Sequence, residues 1–488
     1  MVHQHIHIIG FMKHITIFLM VIMICVVPVR VVAQLCNIIP ETITTYPRQA
    51  FGNYNLWDAS YGEVENVEAI NSGFMIDEKH MMLVGNVQDD PGKITSLILT
   101  KIDRRGRKVS EKRHDAVEGL SSIKTVLRDE DAFWVLGDVQ KDSGQYYVWL
   151  GKFGLDGEML LQKSIQEAGH NTRAGDIVFA HGASRYESAK YVIGVNIQKF
   201  ITPSSGPKSA ERQTQEQFQS RLLFVDKALK TIGTRTYALG VNNKIFDMAP
   251  LDNGAYALTG QVKAANGLQS GWLMVVSRDG GIQWQREFSR GAFSRFNTVT
   301  SYLNNHIIVG GLVHSAHKNT PSAMMEEDAG AKTDAAWVMA ISAASGKIVW
   351  QRYFTSAFDY AVRDIHTLEN GMIHALISSD GLDVFKMSED EIQQQITDNA
   401  APDYQHAVVV SMSPRGAVLD KASYFDGVGA VPSSMFIFDH KYPMFVGQSV
   451  TVTYNEAYQD TAEPRPIYSP DGWAMMGGAL NSYNDPCR

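Results

Sequence analysis

The chain is poor in cysteine, in basic charge and in long apolar runs. Only three of its 488 residues are cysteine, which excludes a small scaffold stapled by disulfides. Lys and Arg number 44 against 52 Asp and Glu, a net charge of −8, so no global basic field exists to draw nucleic acid or an anionic membrane. The apolar run from Ile15 to Val29 is shorter than the roughly 20 residues of a membrane-spanning helix. No H-E-x-x-H helix, no G-x-S-x-G elbow and no closely spaced Cys/His ligand set occurs, so catalytic and metal motifs are lacking and no cofactor is expected. What remains is an ordinary globular composition, 44% hydrophobic and 20% charged, with 40 glycines and 10% aromatics. That balance points to an all-β chain with many tight turns.

Residues 1–33 read as an export signal. Lys13 and His14 precede the apolar run, and Val31-Val32-Ala33 before Gln34 offers the small-residue cut that signal peptidase favours. An uncleaved anchor is the alternative. Leu35 before Cys36 is too large for a lipoprotein signal, and Met12 is an alternative start to Met1. The exported chain would hold 455 residues with a charge of −10 and would be periplasmic, cell-surface or secreted. Cys25 leaves with the signal, and Cys36 and Cys487 at opposite ends of the mature chain read most simply as one disulfide, two unpaired thiols being the alternative.

A repeat fixes the architecture. Lys244-Ile-Phe-Asp-Met, Asn253 to Gly260, Gly271 to Ser277 and Asp279 to Phe288 read as four short strands, and residues 296–354 repeat them. The glycine closing the second strand recurs as Gly85, Gly137, Gly194, Gly260, Gly310 and Gly447, with Ile377 in repeat six. The spacing of 50 to 70 residues and four strands per period give a seven-bladed β-propeller, with repeats starting near 66, 121, 176, 244, 295, 361 and 433. Asp156-Gly157, Asp279-Gly280, Ser345-Gly346 and Arg415-Gly416 mark the third-to-fourth-strand hairpins. Trp149, Trp272, Trp337 and Trp473 on third strands, with Trp284 and Trp350 on fourth strands, are expected to pack blade on blade. The seventh repeat lacks a fourth strand, and residues 54–62, containing Trp57, are expected to supply it and close the ring as one domain over 34–488.

On Ala340-Ile-Ser-Ala-Ala-Ser-Gly-Lys-Ile-Val-Trp350, with a weaker copy from Val275 to Trp284, the chain resembles the pyrroloquinoline-quinone-like propeller repeat superfamily. The resemblance implies architecture. It does not carry the quinone site, because adjacent cysteines and a tryptophan motif in nearly every blade are missing here.

Function is expected on the rim and at the channel. Four long connectors, 199–219, 314–335, 380–404 and 451–467, share one rim, and the third carries a capping-box pattern, Ser388 to Glu391, that suggests a short helix. Asp176, Lys244, Arg295 and Arg363 start first strands and are expected to ring the channel mouth, where the three cations could hold a carboxylate, a sulfate or an acidic peptide. Pairing of those cations with Asp176, Asp364 or Glu68 is the plainer alternative. His306, His314 and His317 cluster in sequence, and His366 and His374 sit on adjacent strands of repeat six as packed or singly exposed residues. The expected role is a monomeric binding or scaffold protein for a protein or cell-surface polymer. An enzyme acting on sugar or peptide and an envelope assembly factor are the alternatives.

Overall fold

The computed structural model describes residues 55–61, 67–90, 93–181, 185–199, 217–240, 242–264, 267–290, 293–303, 305–314, 334–354, 360–379, 406–424, 430–438, 442–454 and 466–477. Turn chemistry sets its strand ends. In the hairpins between third and fourth strands, Gly106, Gly157, Gly280, Gly346 and Gly416 take φ between 66° and 84°, a left-handed conformation that a Cβ disfavours. The third repeat makes the same turn with Leu229 at φ 59°, and its N–H still closes on the Asp226 carbonyl at 2.9 Å.

These turns divide the described chain into 28 strands. The first, β1 (Asn55–Tyr61), precedes blade one, which is β2 (Val67–Met75), β3 (His80–Asp90), β4 (Lys93–Asp103) and β5 (Lys108–Asp115). Blade two is β6 (Leu120–Asp129), β7 (Ala132–Gln140), β8 (Tyr146–Gly154) and β9 (Met159–Ile165). Blade three is β10 (Asn171–Phe179), β11 (Tyr191–Lys199), β12 (Gln217–Val225) and β13 (Thr231–Tyr237). Blade four is β14 (Asn242–Pro250), β15 (Tyr256–Lys263), β16 (Gln269–Val276) and β17 (Ile282–Phe288). Blade five is β18 (Phe293–Tyr302), β19 (His306–His314), β20 (Asp334–Ser342) and β21 (Ile348–Phe354). Blade six is β22 (Tyr360–Thr367), β23 (Ile373–Ser379), β24 (His406–Met412) and β25 (Val418–Tyr424), and the last blade has β26 (Ala430–Phe438), β27 (Tyr442–Tyr454) and β28 (Pro466–Gly477).

The strands form five separate four-stranded antiparallel sheets and one eight-stranded sheet, in which blades four and five are joined by a single parallel pair, Gln269 with Phe293. The last blade is ordered β1-β28-β27-β26. Its outer strand is therefore the N-terminal one, antiparallel to β28 with Tyr61 opposite Gly472. The fold is the expected all-β propeller.

Burial follows from facing sheets, because each blade hides both faces against its neighbours. Each hydrophobic cluster spans two consecutive blades, and one of them, with Ile70 and Leu83 against Phe436 and Val446, joins the last blade to the first. Trp149, Trp272, Trp337 and Trp473 are buried in these seams, as the repeat predicts. Truncating a seam tryptophan to alanine would cost about 3–5 kcal/mol.

Every first strand carries a β-bulge at the same place, with Asn71, Lys124, Gly175, Phe246, Asn297, Arg363 and Ser433 as the extra residues. The bulge explains the repeat glycine. A Cβ on Gly85, Gly137, Gly260, Gly311 or Gly447 would stand 1.9–2.6 Å from the carbonyl oxygen two residues before the bulge. Pairing corrects the marker in two repeats. Gly311, not Gly310, faces that carbonyl in blade five, and in blade three the equivalent residue is Val195, one past Gly194. A one-residue count through a bulge is invisible to spacing alone.

Candidate functional site

A first strand pairs with the second strand on one edge and turns its other edge to the channel, where its amides need partners. Side chains of the preceding blade supply them. Directly after the bulge stand Ser72, Thr125, Asp176, Asp247, Thr298, Asp364 and Ser434, all short and polar. The Met248 amide donates to Asp176 Oδ2 at 3.0 Å and also to Asp247 Oδ1 at 2.9 Å. The Val299 amide donates to Asp247 Oδ2 at 2.7 Å. The Met435 amide and the Ser434 hydroxyl both donate to Asp364 Oδ2, at 3.0 and 2.9 Å.

A second set of ties comes from the residue after the repeat glycine position. Asp138 Oδ1 accepts from the Ala174 amide at 2.6 Å. Asn196 accepts from the Ile245 amide at 2.7 Å and donates to the Ile245 carbonyl at 2.8 Å. Gln448 donates to the Glu68 carbonyl at 3.0 Å, and Asn297 on a bulge donates to the Val362 carbonyl at 2.7 Å.

The electrostatics divide this ring. Burial pushes the Asp176 carboxyl up to about 6, against hydrogen bonds that pull it down. Burial, with the adjacent Asp176 charge, lifts Asp247 well above the usual carboxylate range. Burial also works to raise Asp364, but His366, with Nε2 3.7 Å from Asp364 Oδ2, outweighs it and holds the carboxyl below its ordinary value. His366 is correspondingly raised, although partial burial works against its charged form. His374, buried behind it with Nδ1 2.9 Å from Ser411 Oγ, is lowered to about 3 by burial and by the His366 charge. Asp138 is raised by burial, although Lys124 and Arg173 stand 3.8 and 3.9 Å away.

The four residues expected at the channel mouth do not share one level. Asp176 lies past the bulge and is 5% exposed. Arg363 is itself a bulge residue, and its Nε donates to Ser378 Oγ at 2.7 Å. Lys244 and Arg295 each precede the bulge by two residues, and Lys244 Nζ lies 4.0 Å from the Phe218 ring centroid. The residue equivalent to them on the neighbouring strand is Arg173, whose guanidinium lies 3.4 Å from the Tyr146 ring. Three consecutive blades therefore carry Arg173, Lys244 and Arg295 at one position.

Asp176 pairs with Asp247 rather than with a cation, Asp364 with His366, and Glu68 with Arg113 at 3.3 Å. His366 is thus not a single packed or exposed imidazole. Sequence reasoning missed Arg173, Asp247, Asp138 and the His366 partnership. For Asp138 the available signal was the polar residue after the repeat glycine position, seen also as Asn86, Asn196, Gln261 and Gln448.

His314 pairs with Asp334, and His306 Nδ1 lies 2.9 Å from the Leu303 carbonyl. Among the described residues no three His, Cys, Asp or Glu side chains gather as a metal site. His317, Cys36, Cys487, the expected helix near 388 and most of the four long connectors lie outside the described residues.

No protein-family model matches the chain, and no curated protein matches it in sequence. Solved structures resemble it distantly. A protein of unknown function from Dyadobacter fermentans is 8% identical, covering 87% of this chain and 98% of its own, with a TM-score of 0.42. Sqt1 from Chaetomium thermophilum is 9% identical, covering 88% and 100%, with a TM-score of 0.42. A puromycin-hydrolyzing peptidase of Mycobacterium tuberculosis is 11% identical over 86% of this chain and 57% of its own, with a TM-score of 0.44. Likenesses this distant do not bear on chemistry, which rests on the side chains described above.

Proposed function

We propose that the chain is an exported, seven-bladed propeller of the quinoprotein-like repeat kind that acts as a binding protein. Its target is an acidic protein or cell-surface polymer, held at the channel entrance by Arg173, Lys244 and Arg295 and framed by the long connectors. The observation that carries this reading is the placing of three cations at one structural position on consecutive blades, in a chain of net charge −8. Cations so aligned favour carboxylate or sulfate groups repeated along a partner. Asp176 and Asp247 are occupied as acceptors for inner-strand amides, which favours a binding role over catalysis for this arc.

The test is binding of polyglutamate and of hyaluronate to wild type and to the triple variant Arg173→Gln, Lys244→Gln, Arg295→Gln, measured at two salt concentrations. Wild type should bind with an affinity that falls as salt rises, and the variant should bind at least about tenfold more weakly. Equal affinity of the two proteins would sink the reading.

Catalysis on a sugar or peptide is the second reading, favoured by one observation. Asp364 and His366 keep 22% and 37% of their side-chain surface and face each other as an acid–base pair. Turnover of a glycoside or peptide panel by wild type, lost in Asp364→Asn, would favour it over binding.

A further inference from the structure

Asp176 and Asp247 converge on one donor. The Met248 amide lies between them, 3.0 Å from one carboxylate and 2.9 Å from the other, and Asp247 uses its second oxygen on Val299 of the next blade. Among the described residues neither carboxylate has a cation within ion-pair distance, although salt bridges occur elsewhere on the inner strands. Two ionised carboxylates facing one amide, one of them buried and the other half-buried, repel strongly, and one bound proton turns that repulsion into a hydrogen bond.

The charged surroundings do not offset the pair. From β6 and β10, Lys124 and Arg173 are turned to Asp138 on β7. On β14, Lys244 lies over Phe218. From β22, Asp364 adds a further negative charge against Asp247, and His366 is turned to Asp364. Arg295 on β18 and Arg363 on β22 lie at other levels of their strands, and Arg363 is bonded to Ser378.

We propose that Asp176 and Asp247 form a proton-operated latch of the inner ring. With one proton held between them, they close β10 on β14 and β14 on β18; when the proton leaves, the carboxylates separate and release the Met248 and Val299 amides. Among the remaining ties, those of Asn196, Asn297 and Gln448 carry no titrating group and do not respond to the proton, and those of Asp138 and Asp364 belong to carboxyls with cationic neighbours. Lys244 stands three residues before Asp247 on the same strand, so opening the latch also shifts the entrance. The latch stands independently of the binding reading. Asp247 is the more strongly raised of the two and keeps the shared proton longer.

The experiment is amide hydrogen exchange on the full chain from about pH 5 to about pH 10, corrected for intrinsic exchange. Protection of Met248 and Val299 should fall by at least about tenfold across this range in wild type. In Asp247→Asn, whose amide both accepts from Val299 and donates to Asp176, protection should be independent of pH. Unchanged protection in wild type, or an equal fall in the variant, overturns the latch. A measurement on wild type alone guards against a variant that does not fold. Its infrared spectrum should show a protonated carboxylic acid band at about pH 5 that is lost as the pH is raised, and absence of the band at the lower pH overturns the proposal.

Discussion

Asp247 and Asp364 occupy the same place in two first strands, and each holds the amide of the next blade, yet they are pushed in opposite directions. Asp247 is driven toward protonation and Asp364 toward ionisation. Backbone geometry does not separate them, since Asp247 Oδ2 accepts at 2.7 Å and Asp364 Oδ2 at 3.0 Å from equivalent amides. The neighbour does. Asp247 meets a second carboxylate, whereas Asp364 has an imidazole two residues along its own strand. A propeller repeats its backbone blade after blade, and one side chain per repeat is enough to give each arc of the ring a different charge state.

The sharpest contrast between the two arcs lies one strand outward. A Cβ on Gly260 in blade four would stand 2.0 Å from the Lys244 carbonyl oxygen, while blade six carries buried Ile377 at the equivalent place. Adding one carbon should therefore hurt blade four more than removing one hurts blade six. Gly260→Ala is expected to cost about 3 kcal/mol by overpacking against backbone, and Ile377→Val about 1 kcal/mol. Denaturant unfolding measures both, and a smaller loss for Gly260→Ala would mean that the two blades build this junction alike.

Asparagine at the two aspartates should have effects of opposite sign. A carboxyl whose folded value is raised binds its proton more tightly in the folded state, so stability falls as pH climbs from the ordinary aspartate value of about 4 through the folded one. At alkaline pH, once both carboxylates have ionised, the Asp176–Asp247 pair is at full penalty, and Asp247→Asn should stabilise by about 1 kcal/mol. Asp364 has a lowered folded value, so its contribution is present above about pH 4 and lost as pH falls through the folded value. Asp364→Asn should therefore destabilise near pH 6, by about 1 kcal/mol or less because the pair is partly open to channel water. Melting temperatures of both variants at the two pH values decide it, and a shared sign would remove the distinction between the arcs.

The architecture was legible because it is written many times over. Turn residues such as Asp279-Gly280, tryptophans such as Trp272 and Trp337, and the strand around Trp57 that pairs with β28 each mark a repeated backbone need. The site was less legible because a bulge shifts phase within the strand. Lys244 and Arg295 were seen together, but counting by strand starts joined them to Asp176 and Arg363, which lie at other levels, and passed over Arg173. Asp247 lay in plain view in Lys244-Ile-Phe-Asp-Met. Nothing local in that segment shows that Asp176, 71 residues earlier, faces it across a shared amide.

The smallest effect concerns His366, and its pH dependence is more informative than its size. The folded value of this imidazole is raised by Asp364, so its contribution is full below the ordinary histidine value of about 6.5 and disappears as pH rises through the folded one. Replacing it in His366→Gln removes the positive partner, and the Asp364 carboxyl, still partly buried, should move back up toward the behaviour of Asp247. With 37% of the imidazole side chain exposed, channel water screens the pair, and the loss should stay below about 1 kcal/mol at pH 6. Once pH has risen past its folded value, wild-type His366 is neutral as well, so the two proteins should then melt together. The Met435 amide, held by Asp364, reports the same change through its exchange protection. A deficit in His366→Gln that stays constant as pH rises past that value would mean that the ring acts by packing, and the charge difference between the two arcs would then have to come from Asp176 alone.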